Sequence, residues 1–148
     1  MAVRNQNRLT PNGLASVIGG DLTNLDVVLS ASHSDLFACS EQITGIIVTP
    51  KIVLRVLRSL RDGMENPARV QAWASFLRRG FVSNPSAKEP ISPIDIAFSS
   101  TFEDEIVEVL GRLDELGDLI DGNISEKELD GMIARLETLS TNPPVKEK

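Results

Sequence analysis

The sequence has very few of the residues that most often carry catalysis or bind metals: it contains one cysteine, one histidine and no tyrosine. Cys39 alone excludes an intramolecular disulfide and cannot hold zinc, which fits a reducing compartment, so we expect a cytoplasmic protein. His33 is the only imidazole, so a general base or a histidine-rich metal site would depend on this one residue. The sequence therefore predicts no enzyme, no metal site and no cofactor.

Long apolar runs are also lacking. The apolar stretch between Leu14 and Ile18 is short and is followed by two glycines, so it does not have the form of a secretory signal. No run approaches the roughly 18 apolar residues that span a bilayer. The net charge of −6 and the pI near 4.8 also argue against anionic lipid or nucleic acid as the main partner. We expect no membrane association.

What the sequence does contain is a charge split by position. Residues 48–90 carry eight Lys and Arg against three Asp and Glu, whereas residues 91–148 carry five against fourteen. Two interpretations follow from this asymmetry. The basic and acidic elements pair with each other, or the acidic element offers its face to a basic partner.

Clear start and stop signals predict two helices between residues 49 and 80. Each begins with an N-cap residue followed by proline and ends at a glycine: Thr49-Pro50 to Gly63, and Asn66-Pro67 to Gly80. Proline fits the first helical position, and glycine fits the position just after a helix. Apolar residues at three- and four-residue steps give each helix one stripe that can be buried.

Two further helices are predicted in the acidic half of the chain. Ser100 and Glu103 form a capping box, and apolar residues recur from there to Ile120, so the third helix covers about twenty residues. Ser125 and Glu128 form a second capping box, which starts the fourth helix.

The remaining segments have weaker patterns. Residues 1–47 show no sustained periodicity and are predicted to form a poorly ordered arm, with a short helix near 22–29 and an apolar run at 43–48 that lies against the core. Three prolines predict an extended connector through 81–98, which has room for one short strand. Residues 141–148 are predicted to be a disordered tail.

Helices that are apolar on one side only need a shared core. We therefore predict an all-α fold: a small antiparallel four-helix bundle at residues 48–140, preceded by a flexible N-terminal arm at 1–47 and followed by the tail at 141–148.

Two stretches are similar to functional motifs. Residues 32–35 contain the residue types of a hydrolase triad, but triads are assembled from separated positions, so a solvated loop histidine is the simpler interpretation. Residues 118–129 resemble the second half of a calcium-binding loop, yet Gly117 and Leu119 stand where the first and third ligand positions would be. A tight helix–helix turn with a capping box explains this segment without calcium.

The acidic residues of the second half are the strongest candidates for a functional surface. Such a surface steers association with a basic protein, and the alternative is a helix face kept charged for solubility. The predicted partner-contact residues are Glu105, Glu108, Glu115, Asp118 and Asp121.

The arginines of residues 51–79 support a second hypothesis, a nucleic-acid-binding or regulatory protein. The set comprises Arg55, Arg58, Arg61, Arg69, Arg78 and Arg79. Trp73 lies among them in sequence but on the apolar stripe, so we expect it in the core, and the arginines can instead pair with the acidic helices. A structural or assembly subunit completed by self-association, as a homo-oligomer, is a third hypothesis.

The helix-packing and capping patterns at residues 57–63 and 70–76, with an acidic helix that ends at 116–118 and a turn at 121–125, resemble those of the small acidic helical immunity proteins that bacteria pair with colicin-type nuclease toxins. The resemblance covers residues 49–140. It implies tight binding to a basic toxin or nuclease domain and no enzymatic activity. The hypothesis is therefore a non-enzymatic protein-binding module, and in its most specific form an immunity or inhibitor protein.

Overall fold

A computed structural model describes residues 9–43, 47–80, 94, 96–116 and 125–141 of the chain. This part is mostly helical, as predicted. The helices are α1 (Pro11–Ile18), α2 (Leu25–Ser30), α3 (His33–Ser40), α4 (Pro50–Arg61), α5 (Pro67–Arg79), α6 (Glu103–Asp114) and α7 (Glu126–Thr141). Two 3-10 turns, Leu22–Asn24 and Ser100–Phe102, and two short strands, β1 (Ile47–Val48) and β2 (Ala97–Phe98), complete the described elements.

Helices α4 and α5 begin and end where the sequence predicts. The Thr49 hydroxyl accepts a hydrogen bond from the Ile52 amide at 3.4 Å, and the Asn66 side chain accepts one from the Arg69 amide at 2.9 Å. Gly80 ends α5 in the left-handed region, with φ of 76°. Glycine adopts this conformation without the steric cost that a Cβ imposes, so the predicted stop signal is confirmed.

Helix α6 is shorter than predicted and begins differently. A 3-10 turn precedes it, and Phe102 is its N-cap residue, without a side-chain hydrogen bond. The predicted capping box of Ser100 and Glu103 is therefore wrong. At the other end, the Glu115 and Leu116 amides bond to carbonyls three residues earlier, each at 3.1 Å, which tightens the chain and ends the helix. The predicted stretch beyond residue 116 lies outside the described residues.

Helix α7 has the predicted cap at Ser125, whose hydroxyl accepts a hydrogen bond from the Glu128 amide at 3.0 Å. The Glu128 carboxylate bonds to Arg112 of α6. The start of α7 is thereby tied to the last turn of α6, a contact that sequence spacing alone does not specify.

The amino-terminal segment is the main correction to the sequence prediction. Residues 9–43, which were expected within a poorly ordered arm, fold into α1, α2 and α3 and contribute to the common core. Their fully buried side chains include Leu14, Val17, Leu25 and Val28. Each of these helices has eight residues or fewer, so none is long enough to produce a sustained apolar period. The predicted boundary at residue 48 does not divide this core.

Strands β1 and β2 form a two-stranded parallel sheet. Ile47 lies opposite Ala97 and Val48 opposite Phe98, and the Ser99 amide donates to the Val48 carbonyl at 2.8 Å. A short strand near residue 98 was expected without a partner. The partner strand, Ile47–Val48, spans the predicted boundary between the arm and the bundle, so the sheet joins this boundary to the segment just before α6.

The long helices share one core with the amino-terminal helices. Helix α4 packs against α7 and α5, and α5 packs against α6. Fully buried side chains include Leu57, Trp73, Phe76, Ile106, Leu110 and Leu136. The Trp73 indole N–H donates to the Val17 carbonyl at 2.7 Å, so α5 is bonded directly to α1. This packing leaves one side of α6 facing outward between α5 and α7.

Candidate functional site

An open groove of about 860 Å³ crosses the surface where α5, α6 and α7 meet. Helix α6 turns its apolar stripe, including Ile106 and Leu110, into the core, so the opposite side of the helix lines this groove. We call this opposite side the groove face of α6. Its residues are Val107, Glu108, Gly111 and Glu115.

The centre of the groove face is apolar and lacks bulk. The Val107 side chain is 40% exposed, although large aliphatic side chains are more often buried. One turn later, a Cβ built on Gly111 would meet nothing within 4 Å. Partly buried Met132 of α7 and Ala72 of α5 also line the groove. The groove therefore has an apolar patch with space for an additional side chain.

The structure places two of the predicted contact residues in the groove. Glu108 and Glu115 both line it, one on each side of Gly111 along the helix. Glu105 is half-buried on α6 and does not line the groove. Asp118 and Asp121 lie outside the described residues, so their part of the prediction is not addressed.

Both groove carboxylates already have an arginine neighbour. Glu108 pairs with Arg135 of α7 at 3.1 Å, and its side chain is 68% exposed. Glu115 pairs with Arg112 at 3.1 Å and is 49% exposed. Exposed ion pairs of this kind contribute about 0–1 kcal/mol, because water screens the charges and the side chains lose freedom. These carboxylates can therefore accept another cation at little cost.

Two other groove carboxylates are held more firmly. Arg112 donates from two nitrogens to the two oxygens of Glu128, a fork that joins α6 to α7. These hydrogen bonds lower the pKa of Glu128 and raise the pKa of Arg112, although desolvation acts in the opposite direction. Asp114 is 11% exposed and pairs with Arg78 of α5 at 2.6 Å. These contacts hold the walls of the groove together.

The arginines of the alternative hypothesis are largely engaged in ion pairs. On α4, Arg58 pairs with Glu137 and Arg61 with Asp130, each at 2.6 Å. Arg69 of α5 pairs with Glu65 and Asp26 at 2.8 and 2.9 Å. The first of the two interpretations of the charge split, pairing between basic and acidic elements, therefore holds for much of the described chain.

The arginine set is not entirely neutralised. Arg55 donates to the Gly19 carbonyl at 3.5 Å, a weak contact with the turn that follows α1. Within the described ranges, Arg79 has no ion pair, and it is exposed at the edge of the groove. Trp73 is buried in the core, as predicted, and so offers no aromatic surface to a nucleic acid.

The other candidate motifs have structural roles. Ser32 is the N-cap of α3, and its hydroxyl accepts a hydrogen bond from the Asp35 amide at 3.1 Å, so residues 32–35 form a helix start. Cys39 is buried and lies 3.8 Å from the Leu9 carbonyl oxygen, which agrees with a packed thiol. Most of the calcium-like loop lies outside the described residues, and Glu128, which stands at the bidentate ligand position of such a loop, is bonded to Arg112.

Among the residues that the structure describes, no three His, Cys, Asp or Glu side chains form a group that could hold a metal ion. In the same ranges, none of the helices combines the length and the apolar character needed to cross a bilayer.

Sequence reasoning missed the apolar centre of the groove. Val107 and Gly111 are one turn apart and lie off the buried stripe of α6, which is the only signal that the sequence gives for them. Their exposure depends on how closely α5 and α7 flank α6, and that is a property of the packing.

Comparisons with protein-family models, with curated proteins and with solved structures found no match for this chain.

Proposed function

We propose that the chain is a non-enzymatic protein-binding module and that the groove face of α6 is its contact surface. The observation that carries the proposal is the arrangement of Glu108 and Glu115 on either side of an exposed apolar patch at Val107 and Gly111. Apolar centres with charged surroundings are typical of surfaces at which proteins associate.

The proposed partner is a basic protein. Three consecutive carboxylates, Glu103, Asp104 and Glu105, occupy the first turn of α6 and extend its acidic surface beyond the groove. Within the described residues none of the three forms an ion pair, so their charge is available to attract a partner over a distance. Acidic surfaces of this kind accelerate encounter with basic surfaces more than they increase final affinity.

The most specific form of the proposal is an immunity or inhibitor protein that covers a basic toxin or nuclease domain. Its supports are the resemblance of the helix-packing and capping patterns and the acidic surface of α6. A carboxylate-rich surface that occupies a nucleic-acid cleft would block it by replacing phosphate groups.

The proposed architecture is the antiparallel bundle of α4 to α7. Its support is the order of the ion pairs. Along α4 the paired residues rise from Arg58 to Arg61 while their partners on α7 fall from Glu137 to Asp130. Between α6 and α7, Glu108 pairs with Arg135 and Arg112 with Glu128, which is again an antiparallel order.

The test uses charge reversal in the groove. The tagged protein is used to capture a partner from its own cell lysate at low salt, and a protein released by a salt step is identified by mass spectrometry. We then expect Glu108→Lys with Glu115→Lys to slow association with the purified partner about tenfold at low salt, with the difference shrinking as salt is raised. Rates are measured by stopped-flow fluorescence.

The matched control is Glu41→Lys with Asp62→Lys, which changes the net charge by the same amount at exposed carboxylates outside the groove. Glu108→Gln with Glu115→Gln is the milder version, because it introduces no lysine beside Arg135 and Arg112. Circular dichroism verifies the fold of every variant. Equal association rates for the groove and control variants would contradict the proposal.

The alternatives have less support. Four of the six arginines in the nucleic-acid hypothesis are engaged in ion pairs, and of the remaining two only Arg55 lies outside the groove. Arg55→Glu would weaken binding to nucleic acid and spare the proposed groove contact of Glu108 and Glu115. A structural or assembly subunit would instead have a melting temperature that rises with protein concentration.

A further inference from the structure

The residues on the groove face of α6 are regularly spaced along the helix. Glu108, Gly111 and Glu115 are separated by three and four residues, so they follow one side of the helix. At a rise of about 1.5 Å per residue, the two carboxylates are separated by about 10 Å along the axis, with the bare glycine between them. A partner segment must match this distance with two cations and supply an apolar group at its middle.

The ion pairs within the groove distinguish the carboxylates that can accept a further cation from those that are already held firmly by an arginine. Asp114 is nearly buried against Arg78, and both oxygens of Glu128 are bonded to Arg112. Among the described residues, exposed Glu108 and Glu115 have one longer contact each, so their ion pairs contribute little and are easily shared with an incoming cation. The pattern offered to a partner is therefore one carboxylate at each end.

This spacing distinguishes a helix from an extended segment. In a helix, residues seven apart lie on one side at a separation of about 10 Å, which matches the two carboxylates. In a strand, residues on one side are separated by about 6.6 or 13 Å, and neither value matches. A large apolar side chain of that helix also has room over Gly111, where no side chain of this protein occupies the groove.

The same charges argue against a second copy of the chain as the occupant. If two α6 helices crossed in antiparallel orientation at Gly111, Glu108 of each copy would lie near Glu115 of the other. Like charges placed opposite each other oppose such a contact. A basic segment meets opposite charges at these two positions. In the described part of the chain, three of the four arginines that line the groove, Arg78, Arg112 and Arg135, already pair with its carboxylates, which leaves Arg79 at the edge as the like charge that the segment must avoid.

We infer that the groove binds an amphipathic basic helix of the partner, which sets two Lys or Arg side chains seven residues apart against Glu108 and Glu115 and one large apolar side chain over Gly111. This inference rests on the proposed function and deepens it, because it specifies the recognised element. In this complex, the large apolar side chain of the partner packs against Gly111.

Dye-labelled synthetic peptides test the inference by fluorescence anisotropy at low salt. The first is an alanine-rich helix with Lys at two positions seven apart and Leu between them on the same side. The second has the same composition with the lysines five apart, which places them on different sides of the helix. The third has proline at its centre, which breaks the helix. We expect the first peptide to bind at least tenfold more tightly than the others.

Glycine variants of the protein locate the binding site. Gly111→Leu fills the groove, and its Cβ meets open space, so the fold is retained. Gly131→Leu is the matched control, because this glycine also lies within a helix, a Cβ there would likewise meet nothing within 4 Å, and the residue does not line the groove. We expect Gly111→Leu to weaken binding of the first peptide at least tenfold and Gly131→Leu to leave it unchanged.

Each other outcome overturns the inference in a distinguishable way. If the proline peptide binds as tightly as the first, or if the first does not bind at about 1 mM, the recognised element is not a helix of this kind. The proposed function still stands in that case, provided that binding of the captured partner depends on Glu108 and Glu115. If Gly111→Leu does not change the affinity for the first peptide, the peptide does not bind in the groove. If self-association of the wild type is lost in Gly111→Leu, the occupant is a second copy.

Discussion

Trp73 joins the amino-terminal helices to the long helices through one hydrogen bond. Its side chain is fully buried, and its indole N–H donates to the Val17 carbonyl across a large separation in sequence. A buried carbonyl that loses its donor retains the cost of desolvation without compensation. This residue therefore contributes to stability through both packing and polarity.

We expect Trp73→Phe to lower the free energy of unfolding by about 2–4 kcal/mol, because it removes the donor to Val17 and leaves a cavity. Urea denaturation followed by circular dichroism measures the change. Phe37→Leu is the control, since Phe37 is 42% exposed and surface substitutions usually change stability by less than about 0.5 kcal/mol. Equal stability of Trp73→Phe and wild type would contradict the described contact.

Gly20 occupies a turn that no other residue type fits well. Its φ is +93°, and a Cβ there would lie 3.1 Å from the Ile52 carbonyl oxygen of α4. Gly63 also has a positive φ, +77°, but a Cβ there would meet nothing within 4 Å. Substitutions at the two glycines therefore distinguish the free-energy cost of the left-handed backbone conformation from the cost of the close contact with α4.

We expect Gly63→Ala to cost about 1 kcal/mol, from the left-handed conformation alone. Gly20→Ala should cost at least about 1 kcal/mol more, because the backbone of α4 cannot move aside as a flexible side chain would. Thermal and urea unfolding of both variants supplies the comparison. Similar losses for the two would mean that α1 and α4 do not approach as closely as described.

At the scale of elements, the reliable predictions came from caps that act within a few residues. The side chains of Thr49, Asn66 and Ser125 each accept the predicted hydrogen bond from the backbone amide three residues later. The start of α6 was missed because a 3-10 turn takes the place of the expected capping box at Ser100. The box of Ser125 and Glu128 is confirmed at the Glu128 amide, whereas the Glu128 carboxylate bonds to Arg112, which is close only in the folded chain.

The Arg112–Glu128 contact predicts a dependence on pH. The hydrogen bonds from Arg112 lower the pKa of Glu128 in the folded state below its ordinary value of 4.5. The stabilisation is therefore fully present above pH 4.5 and is lost as the pH falls through the lowered folded-state pKa. We expect Glu128→Gln to reduce stability by less than about 1 kcal/mol at pH 7, because the pair is partly exposed, and to approach the wild type in acid.

Urea unfolding at a series of pH values between neutral and acidic checks this dependence. Glu126→Gln is the control on the same helix: it also removes a carboxylate from the first turn of α7 but leaves the fork to Arg112 intact. A stability difference between Glu128→Gln and wild type that stays constant through the acid range would show that the fork does not stabilise the fold.

At the scale of the whole molecule, the sequence did not reveal that residues 9–43 complete the core. The start signals were present, since Thr10 and Pro11 repeat the cap and proline of Thr49 and Pro50. What was lacking was periodicity, because each short helix buries only two or three apolar side chains. Such side chains reveal their role only when a large neighbour such as Trp73 packs against them.

We expect a chain that lacks residues 1–43 to lose cooperative unfolding, because the buried side chains of α1, α2 and α3 would no longer cover the long helices. Far-ultraviolet circular dichroism during heating measures this. In the full chain, Leu25→Ala is the milder counterpart and should cost about 2–5 kcal/mol. A sharp, wild-type-like transition in the shortened chain would restore the interpretation of this segment as an arm.

The candidate site was predictable in its charges and not in its shape. Glu108 and Glu115 were identified because acidic residues are concentrated in the second half of the sequence. Whether such residues face solvent, a neighbouring arginine or a groove depends on which helices flank α6, and pairing with Arg135 and Arg112 is a result of that packing. The exposed patch at Val107 and Gly111 has the same origin.

The position of Trp73 also provides the chain with an internal optical reporter. It is the only tryptophan, and its indole lies where the amino-terminal helices dock. Fluorescence therefore reports whether that docking is intact, while circular dichroism reports helix content over the whole chain. If the two signals separate during unfolding, α1 leaves before the long helices melt; if they coincide, the molecule unfolds as one unit.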